Sequence, residues 1–216
     1  MSRRTYPRPD HQHAATASEV LRKHALHVGH PVELPVPIES IIEHTYGLQI
    51  LWEDLTEPPG TIILGALEPR NRRIVLNARR EQWFETWLGP ERFTLAHELA
   101  HWIYDADDPN QLPLGLMEEI PEQYCYHRES PGLTDETRIR EINANKLAAH
   151  LLLPGDLVCN SDIPRVLSDL PSAARDWQVS KTTLQIRLKE LGLLNDAQGD
   201  NLTKSRSQVT GNIQRR

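Results

Sequence analysis

The segment ERFTLAHELAHWIYD, residues 91–105, places two histidines four residues apart around a glutamate within an otherwise apolar stretch. Apolar residues recur there at helical spacing, and Pro90 just before it suits a first helical turn, where a missing N–H costs little. The segment is therefore predicted to form a helix that begins near Pro90. Because side chains at positions i and i+4 lie on one helical face, His97 and His101 can converge, with Glu98 alongside.

Three interpretations compete for this polar stripe: a metal site, a buried histidine pair held by hydrogen bonds, and chance in a chain with 10 histidines. Neutral imidazoles suit Zn²⁺, which in catalytic sites takes three protein ligands and keeps a fourth position for water. The ion lowers the pKa of that water, and a neighbouring glutamate can accept its proton. The combination of histidines, glutamate and apolar flanks favours a zinc site with His97 and His101 as ligands. Glu98 is then the general base.

A third zinc ligand is required, and the chain offers two candidates. Asp107 follows the second histidine by six residues, but Tyr104 stands where a glycine would let the chain turn back. Glu141 lies on a second long helix, predicted from Thr134 to Leu153 and ended by the proline after it. The apolar face and small residues of that helix would pack it against the first one, which makes Glu141 the better candidate. Asn145, one turn beyond, is placed either to position a ligand or to cap a backbone group.

The remaining sequence predicts an α+β fold that is mainly helical. Residues 1–16 are polar and are predicted to form a disordered lead, and a helix is expected from Ala17 to Val28. IESIIEHTYG, residues 38–47, has helical spacing and ends in a glycine. A small antiparallel sheet, with a turn at PRNR between its last two strands, is predicted from three aliphatic and β-branched segments: LQILWEDL, TIILGAL and RRIVLNA.

Length and composition fit a soluble globular protein, with 216 residues of which 38% are hydrophobic and 25% charged. The sequence has no apolar run long enough to span a membrane, and its start lacks the apolar core of a signal peptide. Its two cysteines, Cys125 and Cys159, are too few for a disulfide framework and fit a reducing compartment. We therefore predict a cytoplasmic protein with no membrane partner.

The segment WQVSKTTLQIRLKELGLL, residues 177–194, resembles the second half of a helix-turn-helix, with Ser180 as the N-cap of its helix. Packing or partner docking is favoured over sequence-specific DNA reading, because residues 158–216 carry a modest net charge of +3, nine Lys/Arg minus six Asp/Glu. A sensor of single-stranded nucleic acid stays open as an alternative. Basic residues of the helix are candidate contacts to phosphates or to a partner protein: Lys181, Arg187 and Lys189.

Four segments occur in the order and with the residue types of the ImmA/IrrE family of zinc metallopeptidases: RFTLAHELAHWIYD, YCYHRES, EINANKLAAHLLLP and WQVSKTTLQIRLKELGLL. The resemblance runs from about Val20 to Leu194. After the disordered lead, the chain then divides into a zincin-like metallopeptidase domain over residues 17–157 and a small helical, helix-turn-helix-like module over residues 158–196. A disordered polar tail, residues 197–216, follows.

The resemblance implies a single zinc ion whose ligands are His97, His101 and Glu141. It also implies Glu98 as the general base. Members of this family typically make a limited cut in a helix-turn-helix transcriptional repressor, which relieves repression after DNA damage, phage infection or mobile-element stress. A zinc endopeptidase acting on such a repressor is therefore expected, with DNA as a candidate trigger. The alternative from another class is a DNA-binding regulator or toxin–antitoxin component with a structural or degenerate metal site.

Cys125 lies in an acidic loop between the two predicted zinc-bearing helices. A thiolate is a strong zinc ligand, so Cys125 could reach the fourth position as an inhibitory ligand and displace the catalytic water. The other interpretation is that Cys125 is a small buried residue, which is the usual state of a free cysteine. The sequence leaves both interpretations open.

Overall fold

The computed structural model describes residues 6–58, 62–86, 89–105 and 135–195. Within these ranges helices dominate, a three-stranded sheet accompanies them, and no helix is both long and apolar enough to cross a membrane. The strands are β1 (Gln49–Glu53), β2 (Gly65–Glu68) and β3 (Arg73–Asn77). The helices are α1 (Asp10–Val28), α2 (Ile38–Ser40, continued by the π-helical turn Ile41–Thr45), α3 (Glu81–Thr86), α4 (Pro90–Asp105), α5 (Asp135–Leu152), α6 (Gly155–Cys159), α7 (Ile163–Ser168), α8 (Leu170–Asp176) and α9 (Lys181–Glu190).

The sheet is mixed, so the prediction of an antiparallel sheet is wrong in part. β3 lies in the centre, antiparallel to β2 and parallel to β1. The predicted turn at PRNR is present as a 3₁₀ turn over Pro69–Asn71 and makes β2 and β3 a hairpin. The central position goes to the strand whose side chains are buried on both faces, since Ile74, Val75 and Leu76 are all 0% exposed.

The first helix begins at Asp10, so the prediction of a disordered lead over residues 1–16 is wrong from Asp10 onward. Contacts that are distant in the sequence stabilise this first turn. His13 is fully buried, and its Nδ1 lies 2.9 Å from the Tyr104 hydroxyl on α4. The Asp10 carboxylate lies 3.0 Å from Nε2 of His150 on α5. The polar composition of the first turn of α1 predicts a solvated segment. The residues that bury this turn lie on other helices, so the local sequence does not indicate them.

α4 and α5 pack against each other in the core, and α4 also contacts β2 and β3. The predicted second helix is confirmed to within one residue at each end, since α5 spans Asp135–Leu152. Each helix carries alanines that are at most 1% exposed, and such small side chains permit a close approach of helix axes: Ala96, Ala100, Ala144 and Ala148. Their leucine neighbours are 0% exposed, and truncating any one of them to alanine would cost about 2–5 kcal/mol: Leu95, Leu99, Leu147 and Leu151.

β2 lies directly against α4 at Gly65. A Cβ atom at this position would stand 2.6 Å from Cγ2 of Thr94, which is closer than real Cβ contacts. Glycine is therefore the residue that fits here without displacing the helix. This close approach brings the strand next to the part of α4 that carries the candidate metal ligands.

The C-terminal helices share one hydrophobic core with the rest of the described chain. Leu184 and Leu188 of α9 belong to this core. Ser180 caps α9 as predicted, because its hydroxyl accepts the backbone N–H of Thr183 at 3.0 Å. Gly89, with φ of +93°, comes so close to the turn before α9 that a Cβ there would lie 2.6 Å from the Ser180 nitrogen. The turn between α8 and α9 therefore packs on the start of α4.

Candidate metal centre

α4 presents His97 and His101 on one face, as their spacing predicts. Both imidazoles are buried, and their ring centroids lie 4.7 Å apart with an interplanar angle of 78°. Their Nε2 atoms are separated by 3.0 Å. The two ring nitrogens therefore face each other across a space that a shared ligand atom or ion can bridge.

α5 brings Glu141 to the two imidazoles. Its Oε2 lies 3.2 Å from Nε2 of His97, and its Oε1 lies 3.3 Å from Nε2 of His101. The ligand atoms of the three residues all lie within 4.8 Å of one another. The structure thus brings together the three residues that the sequence singles out as zinc ligands. Asp107, the competing third ligand, lies outside the described residues.

The three ligand side chains, His97, His101 and Glu141, fit a zinc ion. His97 places its Nδ1 2.9 Å from Oδ1 of Asn145, which can only accept, so the ring N–H is at Nδ1 and Nε2 faces the cluster as an acceptor. Glu141 adds acceptor oxygens, and its buried Oε1 has no hydrogen-bond partner among the described residues. Acceptors that face one another are stabilised by a cation, and two imidazole nitrogens with one carboxylate form a known catalytic zinc set.

The electrostatics favour an ionised Glu141. Burial raises the pKa of this carboxyl, but the adjacent imidazoles of His101 and His97 outweigh burial and hold the pKa far below its usual range. Metal ligands bind in their deprotonated form. The carboxylate is therefore in its metal-binding form at neutral pH.

Glu98 lies beside the ligands and is 2% exposed. Burial raises the pKa of its carboxyl, and this effect is opposed by the nearby His97 and His101 and by a hydrogen bond from the backbone of Leu67 in β2. A carboxylate whose pKa is raised toward neutrality accepts and returns protons more effectively. Its burial and its pKa direction are those that a general base needs.

The Leu67 contact is absent from the sequence predictions. The backbone of Leu67 makes this hydrogen bond to Glu98, so no pattern of side chains in the sequence indicates it. It depends on the packing of β2 against α4 at Gly65, which only the three-dimensional arrangement reveals.

The basic residues of α9 differ in their surroundings. Lys189 is exposed and Lys181 is partly exposed. Arg187 is buried, its Nε donates to the Leu153 carbonyl at 2.9 Å, and its Nη2 lies 3.0 Å from Nδ1 of His150. The expected contact between Arg187 and a phosphate is therefore contradicted, because protein groups enclose the guanidinium and occupy its donors.

Neither interpretation of Cys125 is tested, because the residue lies outside the described part of the chain. The inhibitory fourth ligand stays a prediction. The other cysteine, Cys159, is exposed at the end of α6 and is a free thiol.

Two histidines and a glutamate on one core helix, with a second carboxylate from α5, form a candidate metal centre with the ligand types of a catalytic zinc site. The chain belongs to the Peptidase_M78 family, described as IrrE N-terminal-like domain, whose sequence model matches residues 45–189. The matched range contains every described residue of the centre. It confirms the ImmA/IrrE family assignment made from the sequence.

No curated protein sequence matches this chain. Among solved structures, a Mycobacterium tuberculosis transcriptional regulator is similar, with 17% sequence identity and a TM-score of 0.41. The similarity covers 83% of this chain and 46% of that chain, so this chain corresponds to less than half the length of that protein.

Proposed function

We propose that this protein is a zinc-dependent endopeptidase that makes a limited cut in a helix-turn-helix transcriptional repressor. The convergence of His97, His101 and Glu141, with the buried Glu98 beside them, carries the peptidase part of the proposal. Membership in a peptidase family supports it. The repressor as substrate rests on the resemblance to ImmA/IrrE proteins.

The chemistry follows from the positions of the side chains. A bound zinc ion would supply a Lewis acid that polarises the peptide carbonyl and acidifies the attacking water. Glu98 accepts the proton of that water on its carboxylate and returns it to the departing amine nitrogen. The hydrogen bond from the Leu67 backbone holds the Glu98 carboxylate in place during both transfers.

A catalytic centre is favoured over a purely structural one. A structural zinc site is held by four protein ligands and has no use for a proton acceptor beside them. A buried carboxylate with a raised pKa lies next to His97 and His101 in this chain, and this state of Glu98 favours a catalytic role.

Zinc removal and restoration on the whole chain tests the proposal. We expect the purified protein to carry about one zinc ion per chain and to cut a helix-turn-helix repressor, taken from its gene neighbourhood, at a defined site. A chelator should abolish the cut, and added Zn²⁺ should restore it, as measured by mass spectrometry of the fragments. Cleavage that persists without zinc contradicts the proposal. So does a zinc-loaded chain that leaves the repressor intact with and without single-stranded DNA.

The identity of the third ligand can be tested by paired substitutions. We expect Glu141→Ala to weaken zinc binding at least about 100-fold, because loss of a direct bond costs more than the 10- to 100-fold loss typical of outer-shell partners. Asp107→Ala should leave zinc affinity unchanged. Competition with a chromophoric chelator measures both affinities. Full zinc occupancy in Glu141→Ala combined with loss in Asp107→Ala would assign the third ligand to Asp107.

A further inference from the structure

Asn145 lies one helical turn beyond Glu141 on α5, and its side chain points to the other ligand helix. Its Oδ1 lies 2.9 Å from Nδ1 of His97. One helix therefore supplies both a candidate metal ligand and a hydrogen bond to a ligand of its neighbour. Because residues four apart share a helical face, the two side chains of α5 reach α4 together.

This hydrogen bond selects the tautomer of His97. A neutral imidazole has one N–H, and the amide oxygen of Asn145 can only accept, so the proton is at Nδ1 and the lone pair is at Nε2. Nε2 is the atom that lies 3.2 Å from Glu141 and 3.0 Å from His101. The opposite tautomer would place an N–H among the three ligand atoms and would repel a cation.

The same bond also restricts the rotation of the ring. An imidazole held only by a metal can turn about its χ2 bond, whereas a second contact at Nδ1 fixes the ring plane. The partly buried Asn145 has its backbone within the regular helix α5, so its side chain starts from a rigid base. Outer-shell partners of this kind typically change metal affinity by about 10- to 100-fold.

We propose that Asn145 is a positioning residue for the metal centre, which holds His97 in the tautomer and orientation that present Nε2 to the ion. This inference rests on the proposed zinc site. It assigns to Asn145 the first of the two roles open from the sequence, positioning a ligand rather than capping a backbone group. Its effect on catalysis is indirect, through His97.

The test compares three substitutions at position 145. Asn145→Leu has a similar size but no acceptor, and we expect zinc affinity to fall about 10- to 100-fold. Asn145→Asp keeps an acceptor oxygen and should bind zinc at least as tightly as the wild type, because a carboxylate in this position raises the basicity of the histidine ligand. Asn145→Ala also removes the acceptor, and it replaces the leucine variant if leucine disturbs the packing of α5. Zinc affinity is measured by chelator competition, and long-range ¹H–¹⁵N spectra of the metal-free protein report which nitrogen of His97 carries the proton.

Asn143 provides a matched control on the same helix. It is buried, and its side chain bonds the Arg8 backbone N–H at 2.9 Å and the Tyr6 carbonyl at 3.1 Å, away from the metal centre. Asn143→Leu should lower stability without changing zinc affinity of the folded protein or the tautomer of His97.

The outcomes separate the two proposals. Wild-type zinc affinity in Asn145→Leu, or affinity in Asn145→Asp as low as in Asn145→Leu, would overturn the positioning role. An unchanged His97 tautomer in both Asn145→Leu and Asn145→Ala would also overturn it. A wild-type chain that binds no zinc in the same titration would instead refute the proposed function.

Discussion

Replacing Glu98 by glutamine is expected to lower the rate of repressor cleavage at least about 100-fold, the low end of what a general base contributes. The amide has the shape of the carboxylate but cannot accept the proton of the attacking water. Zinc should stay bound at its wild-type stoichiometry, because Glu98 is not among the three converging ligands. Single-turnover cleavage assays and metal analysis on the same samples measure the two effects.

Glu91→Gln is the matched control for this substitution. Glu91 lies in the first turn of the same helix, and burial raises the pKa of its carboxyl as it does for Glu98. A glutamine there changes the same chemical group without touching the metal centre, so cleavage should stay at the wild-type level. Near-normal turnover in Glu98→Gln would remove Glu98 from the mechanism. Equal loss in both variants would indicate a general effect on the helix.

Replacing Arg187 by methionine is expected to lower the free energy of unfolding by about 3 kcal/mol, the low end for removing one partner of a buried charged network. The Arg187 side chain is 3% exposed and bonds Glu190 at 3.1 Å. It also bonds His150 of α5 and the carbonyl of Leu153, the residue directly after that helix. For a chain of this size the loss corresponds to a fall in Tm of roughly 6–12 °C. Denaturant unfolding and thermal melts measure it.

Arg175→Met serves as the comparison, because Arg175 is an exposed arginine at the end of α8. Its stability should change by less than about 0.5 kcal/mol. Fluorescence anisotropy with single- and double-stranded DNA is run on both variants. An Arg187→Met protein that is as stable as the wild type but loses DNA binding would restore the phosphate-contact hypothesis for this residue.

The convergence of the candidate metal ligands could be predicted because most of the information for it is local. The positions of His97 and His101 one turn apart determine a shared helical face, whatever the rest of the chain does. Proline after α5 and alanines within it predict a second helix that can approach the first. The hydrogen bond from the Leu67 backbone to Glu98 could not be predicted. A main-chain group of β2 makes this bond, and no sequence motif indicates it.

The errors of prediction share a different cause, which is contact between distant parts of the chain. Arg187 looks like a surface cation in its own helix, yet its partner His150 is 37 residues away. Asp10 looks like part of a solvated lead, yet it bonds the same histidine across 140 residues. The sheet order likewise depends on β3 entering between two strands that precede it in the chain. The local sequence does not indicate any of these contacts between distant parts of the chain.

Because His97 and His101 belong to α4 and Glu141 to α5, a bound ion would join the two helices at the centre of the core. Binding to the folded chain alone adds stability by mass action, about 2.7 kcal/mol when the free ion is at 100 times its dissociation constant. Resistance to unfolding would then rise and fall with the free zinc around the protein. A copy that loses its ion would lose its chemistry and part of its cellular lifetime together, so ordinary protein turnover would preferentially clear the inactive copies.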